Sequence, residues 1–261
     1  TNTLVFDVTV REETHDVAGL ALQGPTSCAV LKDLGLAGVE KLTPFGMTWF
    51  DFEGRRLMVS RTGFTGDLGY ELWIEPEHAE LLWDRLFAAG QLRGIRAMGS
   101  AALDMLRIEA GFILAGQDFL PAMQAVRAGH TRSPFELGLG WLVSFDKGIF
   151  NGRAALLEEQ ARGSRFRLVK LDIDATTPCA LHSAARCSRS RLMNLDISGY
   201  PPARASVVFS RDKKYAGTVT SAMWSPSAKA SIALASLEMP HGEPGEELLV
   251  VVNHVHRAVA T

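Results

Sequence analysis

Apolar and polar positions alternate with period two along LVFDVTVRE (4–12), which predicts a first strand. AGLALQG (18–24) is apolar enough for a second, buried strand. GPTSCAVLKDLG (24–35) predicts a short helix with Pro25 in its first turn and Gly35 at its end. MTWFDFEGRRLMVSRTGF (47–64) has the form of a hairpin turning near Glu53 and Gly54, with Trp49, Leu57 and Val59 pointing inward. YELWIEP (70–76) is the next strand, stopped by Pro76. EHAELLWDRLFAAG (77–90) then forms an amphipathic helix with Ala79, Leu82, Leu86 and Ala89 on one stripe. GSAALDMLRIEAGFI (99–113) predicts a further helix, closed by Gly111, whose apolar stripe is Leu103, Leu106, Ala110 and Ile113.

The pattern changes after this helix. Residues 114–150 are rich in glycine and loop-like, GRAALLEEQARG (152–163) reads as a surface helix, and Gly163-Ser164 is a plausible boundary. Beyond it FRLVKLDID, ASVVFS, YAGTVTSAMW, ASIALASL and ELLVVVN are short strands at close spacing, the pattern of a separate small β-barrel or sandwich. The expected fold class is therefore α+β. Residues 1–163 form an α+β region with a mixed or antiparallel sheet and helices on one face, and residues 164–261 form a β-barrel domain. PCALHSAARCSRSRLMNLDISGYPPAR (178–204) is basic and patternless, and reads as an exposed loop on the second domain.

Composition narrows the function classes. With 261 residues, 47% of them hydrophobic, the chain can bury a sizeable core in two domains. A formal net charge of −2 gives no overall reason to expect nucleic acid or a membrane surface as partner. The longest apolar runs, such as LLVVV, are too short to span a bilayer. No basic stretch followed by an apolar one opens the chain, so no secretory signal is visible. Cys28, Cys179 and Cys187 form no CxxC pair, and their pattern points to a reducing, cytoplasmic setting.

Candidate chemistry is sparse. Gly63, Gly66 and Gly69 in RTGFTGDLGYEL (61–72) fit neither a dinucleotide fingerprint nor a phosphate loop. They read as a tight turn before a strand in which Tyr70, Leu72 and Ile74 share one face and Glu71, Trp73 and Glu75 the other. Glu71 is either an exposed strand residue or, if its face lines a pocket, an acceptor for a pair of N–H donors. Arg107 lies on the margin of its helix's apolar stripe. It either snorkels to water, pairs with Asp104 three residues back, or meets an anion. His254 and His256 could ligate a metal but have no third ligand nearby. His130 lies in a glycine-rich loop with no Ser or Cys placed to complete a triad.

ALQGP (21–25), RTGFTGDLGYEL (61–72), ALDMLRIEAGFILAGQDF (102–119), SPFELGLGWLVSFDKGIFNGRAAL (133–156) and GTVTSAMWSPSAKASIALA (217–235) occur in that order. Together they resemble the aminomethyltransferase family, the T-protein of the glycine cleavage system. That family also includes tetrahydrofolate-dependent demethylases and the folate domains of dimethylglycine and sarcosine dehydrogenases. The resemblance implies a tetrahydrofolate site in which Glu71 grips the pterin ring and Arg107 also contacts the folate. Phe64, Trp141 and Tyr70 are the aromatic positions it implies near the cofactor. It implies a one-carbon transferase whose donor is a small molecule or a lipoylated carrier protein. An O-, N- or S-demethylase of the same family, or a non-catalytic folate-binding protein, are the alternatives. The family's N-terminal portion, with its aspartate near the folate N5/N10 region, has no match in residues 1–20. No catalytic acid or base is therefore assigned, the first domain is expected to be incomplete, and this chain alone is expected to bind folate weakly or not at all, with negligible turnover.

Overall fold

The computed structural model describes residues 7–127, 131–173, 204–252 and 255–260, without side-chain placement at 252 and 255–260. The chain divides into two compact units, Thr1–Leu103 and Asp104–Thr261. The boundary expected at Gly163-Ser164 falls inside the second unit, between its last helix and first barrel strand. His130, Cys179, Cys187, His254 and the basic stretch 178–203 lie outside the described residues, as do 4–6 of the expected first strand.

The first unit is a four-stranded antiparallel sheet with two helices packed against it. Its strands are β1 (Ala18–Gln23), β2 (Met47–Phe52), β3 (Arg55–Ser60) and β4 (Gly69–Ile74), in the order β1-β4-β3-β2. Residues 7–13 carry the alternating pattern but join no strand. With no neighbour to cover its apolar positions, an alternating segment has no reason to extend the ladder; Val8 and Val10 stay exposed. The β2–β3 hairpin turns at Glu53 and Gly54, both at positive φ, and Asp51 Oδ1 accepts the Gly54 N–H. Helix α1 (Ser27–Asp33) starts two residues after Pro25, with Thr26 as its N-cap, so the proline precedes the first turn.

Helix α2 (Ala79–Gly90) buries Leu82 and Leu86 against Leu57, Val59, Tyr70, Leu72 and Ile74 on the inner face of the sheet. Ala79 and Ala89 pack at the margin of the same cluster. Leu57 and Val59 face inward as expected; Trp49 does not. The hairpin register turns Trp49 outward, where Arg56 stacks on its ring at 4.1 Å, and Phe50 and Phe52 supply the β2 contribution to the core.

The second unit is built on a closed antiparallel barrel. Its strands are β5 (Phe166–Ile173), β6 (Val207–Phe209), β7 (Tyr215–Ser225), β8 (Ala230–Glu238), β9 (Glu247–Val252) and β10 (Val255–Ala260), in the order β10-β5-β8-β7-β6-β9. Closure pairs β9 with β10, a strand the sequence pattern did not separate from ELLVVVN. Strand β8 is buried on both faces. Ala233, Ala235 and Leu237 enter the barrel core, while Ile232 and Leu234 pack on Ile108 of helix α3 (Ser100–Ala110). Helix α4 (Arg153–Arg162) carries a buried carboxylate, Glu159, which accepts the hydroxyls of Ser133 and Ser164 at 2.7 Å each. No helix among the described residues is long and apolar enough to cross a membrane.

Candidate functional site

In the first unit the turn 61–68 is organised from inside by one side chain. Gln23, the last residue of β1, donates from Nε2 to the carbonyls of Thr62 (3.3 Å) and Tyr70 (3.4 Å) and accepts the Thr65 hydroxyl at 3.3 Å. A Cβ at Gly63 or at Gly69 would stand 2.0 Å from Gln23 Oε1. Those two glycines therefore make room for the amide, whereas Gly66 takes a left-handed φ of 78°. The tight turn read from the glycine spacing is present, but of its three glycines only Gly66 has a positive φ, and Gly63 and Gly69 are there for close packing.

This turn delivers Thr62 to Glu71. Thr62 Oγ1 donates to Glu71 Oε2 at 2.7 Å and lies 2.7 Å from Ser60 Oγ. Glu71 is half-buried on the outer face of the sheet, facing Ala21 on one side of the ladder and Ser60 on the other. Both neighbours are small, and the carboxylate is half-buried beside them. Among the described residues Oε2 has one donor and Oε1 has none. Trp73, two residues along on the same face, lies against Gly19, where a Cβ would come within 3.0 Å of the indole. Glu75 lies beyond the strand end and is exposed.

The remaining aromatic candidates differ in placement. Phe64 sits half-buried within the turn itself. Tyr70 points into the core and is 2% exposed. Desolvation, followed by the neighbouring Cys28 thiol, pushes its phenol up to about 12. Trp141 lies in the second unit on a short turn, Gly140–Leu142, and is 73% exposed.

Arg107, also in the second unit, is wholly buried. The helix stripe expected at Leu103, Leu106, Ala110 and Ile113 is displaced, for the most buried residues of α3 are Arg107 and Ile108. Arg107 donates from Nε to Asp104 (2.7 Å), from Nη1 to Asp118 (2.5 Å) and the Phe112 carbonyl (3.1 Å), and from Nη2 to Ser221 (2.9 Å). The i,i+3 pair with Asp104 exists, and the deeper partner is Asp118. Asp118 accepts Arg107 and the Leu114 N–H at Oδ2, and the hydroxyls of Thr220 (2.7 Å) and Ser221 (2.6 Å) at Oδ1. Adjacent residues of a regular strand point to opposite faces. A bulge in β7 between Val219 and Ser221 lets two consecutive hydroxyls reach one carboxylate. Sequence reasoning missed Asp118, Thr62 and Gln23. Each lies within one of the quoted motifs, but only burial and hydrogen-bond partners single it out.

Two other charged groupings are closed among themselves. The depression lined by Ser210, Arg211, Asp212, His241 and Glu246 pairs Arg211 with Glu247, Asp212 with Lys214 and Ser210, and His241 with Glu246. Glu75, Glu77 and His78 gather exposed carboxylates around one imidazole, at 3.6 and 3.4 Å.

The site geometry is that of an α+β unit, followed in the chain by a closed antiparallel barrel, whose glycine-bounded turn presents one carboxylate. The GCVT N-terminal domain family matches residues 1–147, and the glycine cleavage T-protein C-terminal barrel domain matches residues 191–261. The chain belongs to the glycine cleavage T-protein family. It is 31% identical over 245 residues to an aminomethyltransferase of Halothermothrix orenii, covering 94% of this chain and 59% of that protein. It is 34% identical over 270 residues to a trimethylamine-oxide aldolase of Ruegeria pomeroyi, covering 99% of this chain and 30% of the relative. The crystal structure of glycine cleavage system aminomethyltransferase T from Bartonella henselae superposes with a TM-score of 0.72 at 27% identity, covering 94% of this chain and 58% of that one. The chain thus spans less than two thirds of these relatives.

Proposed function

We propose that this chain is the folate-binding part of a tetrahydrofolate-dependent one-carbon transferase, with aminomethyl transfer as the reaction of the whole enzyme. The observation that carries the reading is the Glu71 carboxylate, half-buried beside the small residues Ala21 and Ser60 and held by Thr62 through Oε2, with no donor to Oε1 among the described residues. A carboxylate so placed accepts two parallel hydrogen bonds from a ligand edge with adjacent N–H donors, and the amino-lactam edge of a pterin is one. Reduced folate, when bound, supplies the nitrogen nucleophile that takes up the one-carbon unit. Glu71 fixes the orientation of the ring. Phe64 in the same turn offers apolar surface to the ligand. Arg107 and Tyr70 act differently in this reading. Both are buried and occupied, so Arg107 shapes segment 112–118 through Asp118, and Tyr70 anchors the strand that carries Glu71.

Similarity to the trimethylamine-oxide aldolase supports a second donor class, a methylated amine or a related small molecule in place of a lipoylated carrier protein. Supplying each donor in turn with tetrahydrofolate to the longest form of the enzyme separates the two. Ammonia release with the carrier favours aminomethyl transfer, and methylated or methylene folate formed only with the small molecule favours the second class. Tetrahydrofolate titrated against wild type, Glu71→Ala and Arg107→Ala tests the site. We expect Glu71→Ala to weaken binding by about 1.5–3 kcal/mol, the value of a charged hydrogen-bonding partner. Equal affinities for wild type and Glu71→Ala would remove the carboxylate from the site.

A further inference from the structure

We propose that Gln23 and Thr62 are positioning residues that aim the Glu71 carboxylate at its ligand, an inference that rests on the folate reading above. A threonine hydroxyl has one proton, and at 2.7 Å from Glu71 Oε2 Thr62 donates it to the carboxylate. The 2.7 Å contact with Ser60 must then run the other way, with Ser60 donating to Thr62. Ser60 is 4% exposed, so this ordered line of hydroxyls is anchored in the protein rather than in solvent. It holds Oε2 from one side and leaves Oε1, together with the outward side of Oε2, to a donor–donor edge.

Gln23 fixes the other end of the arrangement. Its Nε2 is bonded to the carbonyl of Thr62, whose side chain touches the carboxylate, and to the carbonyl of Tyr70, the residue preceding Glu71. One amide therefore straps together the two backbone segments whose relative placement sets the Thr62–Glu71 distance. The cost of fitting it is visible at Gly63 and Gly69. Neither has the positive φ that would require glycine for conformation, yet neither could carry a Cβ without striking Gln23 Oε1. Residues that merely closed a turn would not need that space. The strap also explains why a polar side chain ends β1, in register with Gly69.

The test is a tetrahydrofolate titration, followed by NMR up to millimolar ligand so that weak binding registers. It compares wild type, Thr62→Val, Thr62→Ser and Glu71→Ala, with Tm measured for each. Thr62→Val keeps the shape and deletes the donor; we expect about tenfold weaker binding, the size of one charge-assisted hydrogen bond. Thr62→Ser restores the donor and should bind within about twofold of wild type. A purely structural role would move Tm and leave this loss and rescue absent. Wild-type affinity in Thr62→Val beside weakened Glu71→Ala overturns the positioning role and leaves the folate reading standing. Unweakened Glu71→Ala, or no binding by wild type in the longest form of the enzyme, overturns the folate reading and this inference with it. Should Thr62→Val fail to fold, Ser60→Ala frees the Thr62 hydroxyl to turn. About threefold weaker binding supports the hydroxyl line, and unchanged binding overturns it.

Discussion

The two units solve the problem of a polar interior in opposite ways. Among the described residues of the first, the buried polar side chains are Ser27, Ser60 and Thr65, all uncharged. The second buries Arg107, Asp118 and Glu159, each inside a set of hydrogen bonds. The first unit keeps its one conspicuous carboxylate, Glu71, half-buried on the face of a sheet whose other face is an apolar core. The second turns its carboxylate Asp118 inward and surrounds it with donors. An occupied buried ion specifies one arrangement of the segments that meet around it, whereas a half-occupied carboxylate at a surface is available to a ligand. The difference is between a carboxylate whose hydrogen bonds are filled from within the protein and one that keeps an oxygen without a donor among the described residues.

The sharpest way to break this comparison is to remove one partner of the buried pair. Arg107→Met leaves Asp118 charged and uncompensated, and should cost the second unit roughly 3–5 kcal/mol. The double variant Arg107→Met/Asp118→Leu should regain part of that loss. Hydrogen exchange in β7 and β8, against β3 and β4, would show whether the loss stays within the second unit. A single-variant cost below about 1 kcal/mol would contradict the assigned role of the pair.

In the first unit the comparable effect should come from apolar volume. Leu72 is fully buried, and Leu72→Ala should cost about 2–5 kcal/mol, seen in urea unfolding and in faster exchange of β3 and β4 amides. Gly69→Ala probes the close approach of Gln23 and should cost roughly 1–3 kcal/mol, because the amide must leave its site. Combined with Gln23→Ala, which vacates that space, the same substitution should cost far less. Additive costs in that cycle would show that the strap does not set the turn.

The smallest effects distinguish the units by pH. Tyr70 titrates at about 12 when folded against 10.0 for the free side chain, so folding favours its neutral form. That stability is fully present below pH 10.0 and is lost as pH rises through about 12. In the second unit, Lys214 and then Ser210 hold Asp212 at about 2, against 3.8 for the free side chain. Burial opposes ionisation of Glu246, but the His241 ring and the Gly242 N–H together pull its pKa down. Their contribution is present above the free-carboxylate range and is lost as pH falls through the lowered values. Alkaline loss should therefore appear in the first unit and disappear in Tyr70→Phe. Acid loss should appear in the second and shrink in Asp212→Asn. Tm measured across pH checks both.

The sequence by itself determined most elements of this protein, and also its family. Period-two runs at 47–60 and 70–74, the stripe of α2 and the closely spaced strands after 164 survive in the structure because each run's period matches the element it forms and gives it an apolar face to bury. The motifs ALQGP, RTGFTGDLGYEL and ALDMLRIEAG carried the family resemblance, and the family matches agree. Tertiary structure decided the rest. Whether 7–13 became a strand depended on a partner, and the direction of Trp49 depended on register with β3. Gln23 meets Gly63 and Gly69 across about 40 and 46 residues of chain, and Arg107 meets Ser221 across 114. Hydrogen bonding and exclusion of water act over a few ångströms, without regard to distance along the chain. Local pattern therefore names the candidates, and only folding shows which polar groups are already satisfied.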